Sequence, residues 1–144
     1  MLKNSIHIVK NFLTESEVKQ VLDSFNEAKD KKVFNSREFI DIENMSDIKK
    51  KCEDYTKLKI DYWQTLKCPE GSSFDKHKDN AEKETVASMI IFLNENFKGG
   101  CLLFDNVIVY PAIGKAVFFD GVNIEHSVNK NIGADRYIIA GWFK

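Results

Sequence analysis

Apolar residues fall along this chain in two rhythms. Between residues 14 and 28, Val18, Val21, Leu22, Phe25 and Ala28 recur at helical spacing among charged positions, which predicts an amphipathic helix with one apolar stripe. Thr14-Glu-Ser-Glu17 ahead of that run is a capping box, so the helix starts there. Ile6, Val9 and Phe12 precede it in a short extended or irregular stretch. Residues 33–42 read as extended but polar, and residues 45–55 as a second, weaker helix with Ile48, Cys52 and Tyr55 on one side.

From Leu58 onward the period changes to alternation. Ile60, Tyr62, Gln64 and Leu66 alternate with Asp61, Trp63 and Thr65, and Cys68-Pro-Glu-Gly71 turns the chain into a strand that carries His77. Further strands are predicted over 85–94, 101–104, 107–110, 115–119, 123–128 and 136–143, separated by Gly, Pro, Asn and Asp signals. About eight short strands after two helices predict an α+β, mainly β protein, a sandwich or closed barrel with the N-terminal helices packed on one sheet. The expected organisation is one domain over 1–144, with 1–57 as helical support and 58–144 as the β core.

Composition narrows the partners. With 21 basic and 22 acidic residues among 144, and a formal net charge of −1, there is no global field to gather nucleic acid or an anionic membrane, and neither is expected as a partner. No run approaches the roughly 18 apolar residues of a membrane span, and the first residues lack the apolar core of a signal peptide. Cys52, Cys68 and Cys101 are odd in number and lack C-x-x-C spacing, which argues against a disulfide framework and a zinc site. The expectation is a soluble protein of the reducing cytoplasm; oligomeric state is not legible.

Candidate chemistry centres on His77-Lys-Asp79. Residues i and i+2 of an extended strand share a face, so this imidazole and carboxylate can close on one point. A lone His-x-Asp is usually just solvated. Of the other two histidines, His7 reads as a surface residue outside the barrel strands, whereas His126 lies 126 − 77 = 49 residues later at the edge of another strand-like run. Two histidines and one carboxylate, with nothing to complete a cage, match the facial triad that leaves positions open on non-haem iron(II). Lys78, between the ligands, should point to solvent.

The last predicted strand adds a cation to an apolar face. Arg136, Ile138, Ala140 and Trp142 share one side, and Tyr137, Ile139, Gly141 and Phe143 the other. A buried guanidinium without a partner costs on the order of several kcal/mol, so an anion should meet it, and its planar fork suits a carboxylate. An internal Asp or Glu, water at a barrel mouth, or a bound carboxylate ligand would each serve.

Gly71, Phe74, His77-x-Asp79, Leu93-Asn94, Gly99-Gly100, Pro111-x-x-Gly114, His126-Ser-Val128, Gly133, Arg136 and Trp142 occur in an order and spacing that resembles the prolyl 4-hydroxylase-like branch of the Fe(II)/2-oxoglutarate dioxygenases. The resemblance covers roughly residues 58–143, and Asn11-Phe-Leu-Thr with the following helix is similar to the start of that family's domain. It implies a double-stranded β-helix, a jelly-roll barrel open at one end, with Fe(II) held by His77, Asp79 and His126 and the distal carboxylate of 2-oxoglutarate gripped by Arg136. O2 is then the second cosubstrate, and ascorbate a candidate reductant. Phe92 stands where the family commonly has a tyrosine bonded to the cosubstrate, and Cys68 where it often has another. Cys101-Leu102 follows the glycine pair in place of the usual Glu-Thr. Ser88, on the face of Phe92, is a candidate substitute hydroxyl or a small core residue; Trp142 is a flank of the iron pocket or core. The implied activity is hydroxylation of a C–H bond, foremost in a proline-containing peptide or protein, coupled to decarboxylation of 2-oxoglutarate to succinate and CO2. A dioxygenase of the same superfamily acting on a small molecule or nucleobase, and an inactive metal-binding jelly roll, are the alternatives. Residues 33–42 and 79–85 are the candidates for a substrate groove or lid.

Overall fold

The capping box forms as the sequence predicts. Thr14 Oγ1 accepts from the Glu17 N–H at 3.1 Å and Glu17 Oε1 from the Thr14 N–H at 2.9 Å, opening α1 (Glu15–Glu27). In the computed structural model, which describes residues 2–79 and 84–144, Val18, Val21 and Phe25 of α1 are buried. The second helix, α2 (Ser46–Thr56), buries Ile48 and Cys52 and ends where Lys57 turns left-handed at φ 61°. No helix among the described residues is long and apolar enough to cross a membrane.

The described residues form thirteen strands, numbered in chain order: β1 (Ile6–Val9), β2 (Lys32–Phe34), β3 (Arg37–Asp41), β4 (Ile60–Cys68), β5 (Phe74–His77), β6 (Ala87–Phe92), β7 (Lys98–Gly99), β8 (Leu102–Leu103), β9 (Ile108–Val109), β10 (Ala116–Phe119), β11 (His126–Val128), β12 (Asn131–Ile132) and β13 (Arg136–Phe143). All the pairings are antiparallel. Seven strands form one sheet in the order β1-β10-β6-β13-β4-β3-β2, four form a second in the order β5-β11-β8-β9, and β12 pairs with β7.

The large sheet is buried on both sides, and its alternation decides which residues face which neighbour. One face carries Trp63, Ala87, Met89, Ile91, Phe118, Ile139 and Phe143 against the stripes of α1 and α2. The other carries Leu66, Phe92, Val117, Phe119, Ile138 and Ala140 against Leu102, Val109 and Val128 of the small sheet. Helices, large sheet and small sheet are therefore three layers, with the predicted split of β13 realised residue by residue. The space between the two sheets is where the candidate residues gather.

Two features differ from the sequence reading. The first 57 residues are more than a helical support, because β1, β2 and β3 extend both edges of the large sheet, and His7 consequently sits on a strand, paired with Phe118. Edge strands keep one side in water and need no apolar run, so their pattern is faint. β7 and β12, two residues each, are too short to show any period.

Candidate metal centre and anion pocket

Antiparallel register brings the two histidines together. His126, the first residue of β11, stands opposite His77, the last of β5, with ring centroids 4.4 Å apart. Each ring is aimed by a carbonyl two residues earlier: His77 Nδ1 lies 2.7 Å from Asp75 O and His126 Nδ1 2.8 Å from Ile124 O. A carbonyl only accepts, so each Nδ1 carries the hydrogen and the neutral ring offers its Nε2 lone pair. Both Nε2 atoms face one oxygen, Asp79 Oδ1, at 3.5 Å from His77 and 3.3 Å from His126. The three ligand atoms lie within 4.8 Å of one another. Neighbouring ligands on a six-coordinate ion with bonds of about 2.1 Å sit about 3 Å apart, so only a small contraction is needed.

Asp79 lies beyond the end of β5 and is seated by other means. Its N–H donates to Gly121 O at 2.8 Å. Its Oδ2 accepts a hydrogen bond from Ser88 Oγ of β6 and another from Trp142 Nε1 of β13 at 3.3 Å. A Cβ on Gly121 would collide with both Asp79 Oδ2 and Ser88 Oγ. Gly121 was not singled out by sequence, since Asp120-Gly121 after an apolar run reads only as a turn.

The charges of the cluster are coupled. Burial works to raise the Asp79 carboxyl, but hydrogen bonds from His126 and Ser88, with both imidazoles close by, hold it below the ordinary carboxylate range. Burial works to lower His126, yet its bonds to Asp79 and to the Ile124 carbonyl hold it above the ordinary imidazole value. A metal ion would take the place of the proton that these partners favour on His126.

A cavity of about 130 Å³ opens from this cluster and runs along the inward face of β13, lined also by Phe74, Ile90, Ile138 and Arg136. Arg136 and Trp142 stand at its two ends, 142 − 136 = 6 residues apart on one strand face. Arg136 is 1% exposed. Its Nε and Nη2 have no hydrogen-bond partner among the described residues; Nη1 reaches only the Cys68 sulfur at 3.6 Å, and the Phe92 ring lies 5.6 Å from the guanidinium. Burial draws Arg136 below its ordinary value, and Cys68 offsets that only in part.

Each sequence-predicted residue thus has a place. His77, Asp79 and His126 converge. Arg136 lines the far part of the cavity with the Phe92 ring behind its guanidinium, while Ser88 and Trp142 both bond the Asp79 carboxylate. At the mouth, Tyr62 is 40% exposed and stacks on Trp142 at 5.7 Å, while Trp63 is buried in the core. Arg37, which the sequence did not flag, lies over the Phe74 ring at 3.7 Å and donates to Ser73 O, tying the β2–β3 hairpin to the strand that carries His77. Of the two candidate groove segments, 33–42 is this β2–β3 hairpin; residues 80–83 of the other lie outside the described residues.

Comparison with known proteins agrees with this geometry. The family model of the 2OG-Fe(II) oxygenase superfamily matches residues 63–144. No curated protein matches the chain. Among solved structures, a viral collagen prolyl hydroxylase from Paramecium Bursaria Chlorella virus-1, as its 2OG complex, superposes with a TM-score of 0.74 at 13% identity, covering 96% of this chain and 94% of that one. A Pseudomonas putida prolyl-4-hydroxylase gives 0.73 at 20% identity, covering 96% and 91%. A prolyl hydroxylase from Trichoplax adhaerens, in complex with a hypoxia inducible factor oxygen degradation domain peptide fragment, gives 0.74 at 18% identity, covering 97% and 83%. The architecture held in common is the double-stranded β-helix.

Proposed function

Because this chain belongs to the 2OG-Fe(II) oxygenase superfamily, we propose that it hydroxylates a C–H bond of a proline-containing peptide, using Fe(II) held by His77, Asp79 and His126 and 2-oxoglutarate anchored by Arg136. The observation that carries this reading is Arg136, a buried cation with two nitrogens unsatisfied among the described residues, at the end of the cavity that begins at the His77–Asp79–His126 group. Such a group persists only where an anion meets it in the working state.

The residues fit the implied groups. Two imidazoles and one carboxylate suit ferrous iron, and as its protein ligands they would leave positions open for cosubstrate and oxygen. When bound, iron supplies oxygen activation and C–H oxidation, coupled to conversion of 2-oxoglutarate to succinate and CO2. The protein supplies orientation. The carbonyls of Asp75 and Ile124 fix both histidine tautomers, so that Nε2 faces the metal. Arg136 would hold the distal carboxylate, its Nε and Nη2 being without partners among the described residues in a dry setting, where a charge-assisted pair is strong. Phe92 packs its ring against the guanidinium and contributes no hydrogen bond of its own. Ile90, Ile138 and Phe119 wall the cavity and exclude water from the chemistry.

The cavity matches a small dicarboxylate in size and is too small for a peptide, so a peptide substrate meets the centre across the mouth, beside His77, Tyr62 and Trp142. The β2–β3 hairpin is the element placed to flank it, with Val33 and Phe34 each 68% exposed and Arg37 bridging to Ser73. The peptide complex of the Trichoplax enzyme supports a peptide rather than a free amino acid. The test is succinate release with Fe(II), 2-oxoglutarate and a panel of proline-containing peptides, against free proline. Turnover of peptides with a mass gain of one oxygen bears the proposal out; turnover confined to free amino acids replaces the peptide with a small-molecule substrate, and release with neither overturns it.

A further inference from the structure

The seat of Asp79 has a feature that metal binding alone does not demand. Its two oxygens are treated differently: Oδ1 faces both imidazoles, whereas Oδ2 is turned away and held by Ser88 Oγ and Trp142 Nε1. Those donors come from β6 and β13, adjacent strands of the large sheet in which Ser88 is the registered partner of Trp142. The sheet itself therefore sets the spacing of the two donors. Gly121 completes the seat, since its carbonyl accepts the Asp79 N–H and its missing Cβ is the space that Oδ2 and Ser88 Oγ occupy. Three segments remote in sequence converge on one carboxylate oxygen that does not face the metal site.

We infer that Ser88, Trp142 and Gly121 are positioning residues that restrict Asp79 to one-oxygen coordination and so keep three positions on the metal open. A carboxylate free to rotate can offer both oxygens to a metal and consume one of those positions. Two hydrogen bonds on Oδ2 oppose that rotation, because Oδ2 would have to give up both donors to reach the ion. The tie also gives Trp142 a second consequence. Its ring stacks on the exposed Tyr62 at the mouth, so a substrate that moves this aromatic pair moves a donor of the metal ligand. This inference rests on the proposed metal site, and its test separates the two.

The experiment uses Mn(II) as the probe, with affinity measured by calorimetry and bound waters counted by electron paramagnetic resonance in ¹⁷O-enriched water, on wild type, Ser88→Ala, Ser88→Thr, Trp142→Phe and Gly121→Ala. Ser88→Ala, Trp142→Phe and Gly121→Ala are each expected to lower affinity about tenfold or more, to lose one bound water, or both, while Ser88→Thr stays near wild type. Thermal melting of the metal-free proteins accompanies each titration, and Trp142→Phe, which keeps an aromatic ring against Tyr62, is the variant that keeps the test decisive if Gly121→Ala does not fold. Ser88→Ala and Trp142→Phe that bind Mn(II) within about threefold of wild type with the same number of waters overturn the inference and leave the metal site standing. A wild-type protein that takes up no Mn(II) or Fe(II) overturns the metal site and this inference together.

Discussion

In the proposed reaction three side chains and one guanidinium carry the chemistry, and each predicts a different outcome. His77 is exposed and contributes little packing, so His77→Ala should abolish Fe(II) binding and decarboxylation while moving the melting temperature of the metal-free protein only slightly; calorimetry and thermal melting check both. Arg136→Met should do the opposite to stability. Replacing a buried cation that no carboxylate meets among the described residues with an apolar chain of similar length is expected to leave the fold as stable or more stable, by up to about 4 kcal/mol in urea unfolding, while saturation with 2-oxoglutarate is lost. For pH, His126 is raised in the folded metal-free protein, so its contribution to stability is full below the ordinary value of 6.5 and lost as pH rises through the raised value. Asp79 is lowered, so its contribution is present above 3.8 and lost as pH falls. Metal-free protein should therefore gain stability from this pair between those limits, and urea unfolding at about pH 5.5 and about pH 8 should differ less in Asp79→Asn than in wild type. Fe(II) affinity should run the other way and fall in acid, beginning above the ordinary imidazole value, because the proton on His126 competes with the metal. The grouping of His77, Asp79 and His126 was legible in the sequence because only three histidines exist and a His-x-Asp pair on a strand is a local pattern. The seat of Asp79 was not, since Ser88 and Gly121 meet it through tertiary approach, and neither residue type carries a signature for that role.

Among the elements, β13 does the most to build the site. It pairs with β4 on one side and β6 on the other, presents Arg136 and Trp142 to the cavity and gives its other face to the helices. Its strict alternation is why this strand could be read in advance, down to which residues share the inward side. The short strands β7 and β12 and the edge strands β2 and β3 could not be read as surely, because two-residue pairings and half-solvated edges leave no apolar period to detect. Helix α1 is a support whose local signals agree with its place. Thr14→Ala should cost about 1 kcal/mol in urea unfolding by removing the side-chain half of the capping box, with Fe(II) affinity unchanged, since the cap lies on the helical layer and the candidate metal site on the far side of the large sheet. A loss of Fe(II) affinity in that variant would show that the two layers are coupled.

At the scale of the whole molecule, the large sheet separates two jobs. Its outer face packs the helices and provides stability; its inner face, closed by the small sheet, encloses a cavity with the His77–Asp79–His126 group at one end and, at the other, a cation with two nitrogens unsatisfied among the described residues. The central claim is that these two ends are occupied together, by Fe(II) and by one 2-oxoglutarate. Anaerobic equilibrium dialysis of 2-oxoglutarate, with and without Fe(II), on wild type, Arg136→Met and His77→Ala tests it most directly. The account predicts one 2-oxoglutarate per chain only when Fe(II) is present, loss of 2-oxoglutarate but not of Fe(II) in Arg136→Met, and loss of both in His77→Ala. Binding of 2-oxoglutarate that is indifferent to Fe(II) and survives in both variants would contradict it.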